Sequence, residues 1–269
     1  MPAAGGLATV AAAAALCGSG PLDILLTNDD GVDAAGIRAL RTQLEAAGHR
    51  VTVAAPDHNA SGTAMSFTWG SVRVTGDRAD PAVYSIAATP ATAVVLAATA
   101  LYPAGRRPDL VVSGINHGPN AGSLLVLSGT VGGALAGTLL LDPPVPGIAV
   151  NAERLDATLP ADAPANRAQL DAAGAHLARL IGATRGWFCE DGRVTRARTV
   201  LNVNYPSRPI AQVAGTVVAR QGSGTDLHVA FVQSGEAARS TIEARRSANW
   251  SGDSTGSRDG AAAQAAGAA

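Results

Sequence analysis

Asn28-Asp29-Asp30-Gly31 sets two adjacent carboxylates directly after a short apolar run, Asp23–Thr27. Neighbouring carboxylates repel one another unless a cation or a proton lies between them. Hard divalent ions such as Mg²⁺ or Mn²⁺ take oxygen ligands from carboxylates, hydroxyls and amide carbonyls. The same four residues would equally serve as an Asx turn with a helix N-cap, so this motif alone leaves both readings open. Two further clusters offer neutral oxygens: Ser61-Gly62, and Gly114-Ile115-Asn116-His117-Gly118-Pro119-Asn120. A fourth segment, Ser128-Gly129-Thr130-Val131-Gly132, opens a small-residue helix. Hydroxyls and free N–H groups at a helix N-terminus, with the helix dipole behind them, accommodate an anion. Simple capping by Ser128 or Thr130 would explain that segment taken alone.

The elements that must position these residues alternate in kind. Strand-like runs fall at Asp23–Thr27, Arg50–Ala55, Asp109–Ser113, Gly147–Asn151 and Thr199–Asn204, with shorter pieces at Ser71–Thr75 and Ala82–Ile86. Between them, helical spacing of apolar residues covers Gly36 to His49, Ala91 to Leu101, Gly129 to Leu141 and Asn166 to Ala183. Continuous apolar strands separated by helices predict a mostly parallel, open α/β sheet covered on both faces. Ligands bind such sheets at the carboxyl ends of the strands. The stretches 28–31, 57–62 and 114–122 all follow strands, so they are expected to converge on one crevice.

Composition narrows the function classes. The chain has 269 residues, 47% of them hydrophobic but only 3% aromatic, so Ala, Val, Leu and Ile must build its core. Its formal net charge of −1 supplies no basic field for duplex nucleic acid. All 20 basic residues are Arg. Without Lys, neither a P-loop NTPase nor a Schiff-base enzyme is available. Cys17 and Cys189 offer no thiolate zinc site, and they read as two unpaired small hydrophobes, a disulfide between them not being legible from sequence. Residues 1–20 are Ala-rich and apolar, too short a stretch to span a membrane. They read as an unfolded or processed tail, with export or a lipoprotein-like leader as the alternative. Residues 21–206 form the α/β domain. Residues 207–269 form a short C-terminal extension with one β-like run at Leu227–Gln233, a polar Gly/Ser-rich stretch and an expected disordered end.

Four segments in order, Ile24 to Val32, Ala55 to Gly62, Pro108 to Asn120 and Ser128 to Gly132, resemble the SurE family of 5′/3′-nucleotidases. Leu201-Asn202-Val203-Asn204 resembles the family's later strand, and the likeness spans Leu22 to Pro206. The resemblance implies a three-layer Rossmann-like fold and a metal-dependent phosphomonoesterase acting on nucleoside monophosphates. Carried over by motif, Asp29, Asp30, Ser61 and Asn116 would hold one divalent cation, Mn²⁺ or Mg²⁺, with Asp29 and Asp30 catalytic. Asn120, Ser128, Gly129 and Thr130 would hold the phosphate. A homodimer in the cytoplasm is implied as well. The chain departs from the pattern at Thr92, Leu127 and Ala136, where the family usually has Asp, Tyr and Glu, and in lacking the family's Gly-Tyr-x-Ser-x-Thr-Pro-Leu segment. Such changes frame the alternative, a catalytically degenerate phosphate- or nucleotide-binding module.

Among the histidines, His117 adjoins Asn116 and could donate a proton to a leaving alkoxide, but it reads first as an incidental loop residue. Gly252-Asp253-Ser254-Thr255-Gly256 matches the hydrolase pattern G-x-S-x-G without the preceding strand that a nucleophile elbow needs. Asn249-Trp250-Ser251 is a formal glycosylation sequon.

Overall fold

Ile24, Leu25 and Leu26 are fully buried in alternating directions, which is what a strand covered on both faces requires. They form β1 (Asp23–Thr27) in a computed structural model of the chain that describes residues 15–103, 105–224, 229–234 and 241–246. There follow α1 (Ala35–Ala46), β2 (Arg50–Pro56), β3 (Val74–Gly76), β4 (Val83–Ile86) and α2 (Pro90–Leu96), which continues as a π turn over Ala97–Leu101. Next come β5 (Leu110–His117), a 3₁₀ turn at Gly122–Leu127, α3 (Gly129–Leu139), β6 (Gly147–Ala152) and α4 (Pro164–Thr184). The series ends with β7 (Cys189–Glu190), β8 (Arg193–Val194), β9 (Val200–Tyr205), β10 (Val229–Ser234) and β11 (Thr241–Arg246).

Seven strands make one sheet in the order β3-β4-β2-β1-β5-β6-β9, parallel throughout except for the antiparallel β3 at one edge. Ile24, Leu26, Val51, Val53, Val112 and Ile148 face α1 and α4 in the larger core. Leu25, Ala54 and Val111 point the other way, onto α2 and α3. This is the expected three-layer α/β arrangement, and it brings the carboxyl ends of β1, β2, β5 and β6 to one edge.

Four expectations need correction. Cys17 and Cys189 are not unpaired: they form a disulfide across 172 residues, with a Cα–Cα distance of 5.7 Å. Residues 15–20 are not an unfolded tail either. Leu16 is buried in the larger core, and the Arg185 guanidinium donates to the Ala15, Leu16 and Gly20 carbonyls. Third, β5 does not stop at Gly114 but runs on to His117. The extension contains a paired hairpin, β10 with β11, where a single strand was expected. The two-residue strands β7 and β8 were not anticipated, being too short to carry a period. Among the described residues no helix is long and apolar enough to cross a membrane. Residues 1–14, the sequon at 249–251 and the G-x-S-x-G match at 252–256 lie outside the described residues.

Candidate active site

At the end of β1 neither carboxylate is spent on the turn or on a helix cap. Asn28 makes the Asx turn by itself: its Nδ2 donates to the Gly31 carbonyl (2.8 Å) and its Oδ1 accepts from the Gly31 N–H (3.2 Å). The N-cap position of α1 is Ala34, which has no side-chain cap. Asp29 and Asp30 are therefore needed for neither role.

Asp29 is only 3% exposed. Burial pushes its pKa up, the Thr130 hydroxyl works against that by donating to Oδ1 at 2.6 Å, and the neighbouring Asp30 charge pushes it up again, for a net rise. Asp30 turns Oδ1 toward His117 Nδ1 at 3.6 Å, while its Oδ2 is buried with no hydrogen-bond partner among the described residues. Two packed carboxylates, one with an orphaned buried oxygen, form a donor set that a hard cation would satisfy. Among the described residues no cluster of three or more His, Cys, Asp or Glu could hold a metal. Any cation here must then complete its shell with neutral oxygens.

Two neighbouring segments, the loop after β2 and the end of β5, carry neutral oxygens. The Ala60 N–H donates to the Asp29 carbonyl at 2.7 Å, and Val32 N–H to the Pro56 carbonyl at 2.8 Å, which fastens the loop after β2 against the Asp29 turn. Ser61 is the next residue and is exposed; its N–H is held by Asn59 Oδ1. On the other side, β5 advances three residues from Ser113 to Asn116 while β6 advances two, from Ala149 to Asn151. That extra residue is a bulge, the device by which a strand re-aims a side chain. Gly114 permits it: its φ is +138°, and a Cβ there would lie 2.2 Å from the Val150 carbonyl oxygen. Asn116, beyond the bulge, donates its Nδ2 to the Gly118 carbonyl, and its Oδ1 has no donor among the described residues. His117, expected as an incidental loop residue, is instead on the strand and faces Asp30.

The N-terminus of α3 closes the site. Ser128 caps it by accepting the Val131 N–H at 3.1 Å. At Gly129 a Cβ would be 2.8 Å from the Asp29 Cβ and 2.9 Å from its Oδ2, so the helix start rests directly on that carboxylate. Thr130 is fully buried, with both its hydroxyl and its backbone amide turned to Asp29. The Thr130 hydroxyl is therefore a donor to Asp29. Among the described residues, the donors left at this terminus for an anion are the Ser128 hydroxyl and the Gly129 N–H.

Asn120 lies beside β6 and β9. Its Nδ2 donates to Asn151 Oδ1 (2.6 Å), its N–H donates to Asn204 Oδ1 (2.9 Å), and its carbonyl accepts from Asn202 Nδ2 (2.7 Å). Asn151, Asn202 and Asn204 were not singled out from sequence as site residues. The available signal was an amide at the end of the otherwise apolar strand 147–152, and two more at alternate positions of the strand 200–205.

A mostly parallel three-layer sheet with paired acids after its first strand, and a helix N-terminus opposite them, defines a Rossmann-like α/β protein built to hold a ligand at its strand ends. Residues 24–226 match the family model of the survival protein SurE. The 5′-nucleotidase SurE of Rubrobacter xylanophilus is 40% identical over 202 residues, covering 74% of this chain and 71% of the relative. That of Stenotrophomonas maltophilia strain K279a is 40% identical over 200 residues, covering 74% and 70%. The crystal structure of the SurE protein from Aquifex aeolicus superposes with a TM-score of 0.64 at 29% identity, over 83% of this chain and 82% of that one. The chain belongs to the SurE family.

Proposed function

We propose that this chain is a divalent-metal-dependent phosphomonoesterase that hydrolyses nucleoside 5′- and 3′-monophosphates to nucleoside and phosphate. The observation that carries the reading is the buried Asp29–Asp30 pair, one of whose oxygens has no partner among the described residues, packed against the N-terminus of α3. The 5′-nucleotidase names of the relatives support the substrate class. Asp29, Asp30, Ser61 and Asn116 would hold one ion, Mn²⁺ or Mg²⁺. Such an ion supplies Lewis-acid polarisation of the phosphoryl group and lowers the pKa of coordinated water.

The remaining work falls to the chain's own groups. Asn120, the Ser128 hydroxyl and the Gly129 backbone N–H would hold the phosphoryl oxygens and stabilise the charge that builds on them. Thr130 would keep Asp29 in one orientation, with Oδ2 toward Gly129.

The test is phosphate release from a panel of nucleoside monophosphates by chelator-stripped protein, with and without added Mn²⁺ or Mg²⁺, beside Asp29→Asn. Turnover that needs the ion and falls at least about 100-fold in the variant is expected, as when one oriented electrostatic group is lost. Folded protein that binds Mn²⁺ yet releases no phosphate from any member of the panel would identify the non-catalytic binding module instead.

A further inference from the structure

Three asparagines from three separate segments close a ring. Asn120 donates through Nδ2 to Asn151 Oδ1 (2.6 Å), Asn151 through Nδ2 to Asn202 Oδ1 (2.8 Å), and Asn202 through Nδ2 back to the Asn120 carbonyl (2.7 Å). An amide can usually be turned over, exchanging its donor and acceptor ends. This ring cannot run the other way. Asn151 Nδ2 also donates to the Val203 carbonyl at 2.9 Å. Turning Asn151 over would set its Oδ1 against that carbonyl, and turning Asn202 over would set oxygen against the Asn120 carbonyl. Two backbone acceptors thus lock the direction, and Asn151, fully buried, offers Asn120 an acceptor only.

The consequence falls on Asn120. Its backbone N–H is taken by Asn204 Oδ1. Its carbonyl is taken by Asn202 and Asn204. One Nδ2 hydrogen is taken by Asn151. A single donor is left, the second Nδ2 hydrogen. We infer that Asn151 and Asn202 are positioning residues that fix this one N–H as the group Asn120 gives to a phosphoryl oxygen. The inference rests on the phosphate role proposed for Asn120. The ring reaches from the loop after β5 across β6 to β9, so the phosphate donor is set by the edge of the sheet remote from the paired acids.

Isothermal titration of the Mn²⁺-loaded protein with inorganic phosphate tests it, with kcat/KM for a nucleoside monophosphate as the second readout. The proteins are wild type, Asn120→Ala, Asn151→Ala and the double variant, each checked for fold by circular dichroism. Asn202→Ala breaks the ring at another point and takes the place of Asn151→Ala should that variant not fold. Loss of a hydrogen bond to a charged group predicts that Asn120→Ala and Asn151→Ala each bind phosphate about tenfold more weakly. Because Asn151 acts through Asn120, adding Asn151→Ala to Asn120→Ala should cost less than about threefold more, and Mn²⁺ affinity should stay within about twofold. A merely structural role would give additive losses. Additive losses, or unchanged phosphate binding in Asn151→Ala and Asn202→Ala while Asn120→Ala is weakened, overturn the ring's role and leave the phosphate role of Asn120 standing. Unchanged phosphate binding in Asn120→Ala removes that phosphate role and the inference with it.

Discussion

Thr130 joins the two halves of the site, because a single hydroxyl on α3 donates to the first acid after β1. Replacing it with valine keeps shape and volume and removes only the donor. The Asp29 carboxylate would then be more poorly solvated and free to turn, and kcat/KM for a nucleoside monophosphate is expected to fall about tenfold, the worth of one charge-assisted hydrogen bond. Thr130→Ser restores the hydroxyl and should recover activity to within about threefold. Steady-state kinetics on the pair measures both. At this scale the Asp29–Asp30 motif alone left an Asx turn with an N-cap and a pair of cation ligands equally open, and the other motifs tipped the reading toward a site. Partnership was not legible. Thr130 reads from sequence as a cap or a phosphate donor, whereas its hydroxyl is turned to Asp29, and the 101 residues between them carry no spacing rule that could have said so. The asparagine ring was hidden for the same reason: Asn120 was singled out, but its partners Asn151 and Asn202 lie in other segments.

At the scale of elements, the site depends on how closely α3 seats on the β1 turn. Gly129 sets that distance, since a methyl there would collide with the Asp29 side chain. Gly129→Ala should therefore displace the acid, costing about 1–3 kcal/mol of stability in denaturant unfolding, as overpacked sites do. Mn²⁺-dependent turnover should fall further than Thr130→Val makes it fall. Equal activity in the alanine variant and the wild type would show that the helix start can retreat without disturbing the acids. The succession of strands and helices was legible because periodicity and apolar runs report burial directly. The end of β5 was not. Gly114 looks like a strand terminator, and only its pairing with β6 reveals a bulge that carries the strand on to Asn116 and His117.

Across the whole molecule, β1 has a charged cluster at the end opposite the site. Asp23 accepts from Arg50 Nε at 2.7 Å and from Arg106 Nη2 at 2.6 Å. Burial alone would raise its pKa, but the hydrogen bonds and charges of the two arginines outweigh burial and hold it below the ordinary 3.8. A depressed folded-state pKa contributes stability above the unfolded value, and that contribution is lost as pH falls through the folded one. Asp23→Asn should then lower Tm by about 2–4 °C at pH 7, corresponding to roughly 1 kcal/mol for a partly exposed pair. The difference from wild type should shrink below about pH 4, where the wild type itself becomes protonated. Thermal melts across pH 3 to 8 measure it. The arrangement of this end was only half legible, because the packing of Arg185 onto residues 15–20 depends on a tertiary contact between the two ends of the domain.

The bond from Cys17 to Cys189 does more than anchor that segment. It turns nearly the whole sheet, all of it except β9, into a covalent circle that contains both acids, the loop with Ser61, the bulge with Asn116 and the α3 terminus. A peptide bond cut at any exposed loop inside the circle opens it without dividing the molecule. The two resulting chains stay joined through the sulfur atoms, with every site residue still attached, and both cleavage and reduction are needed to break every covalent link between them.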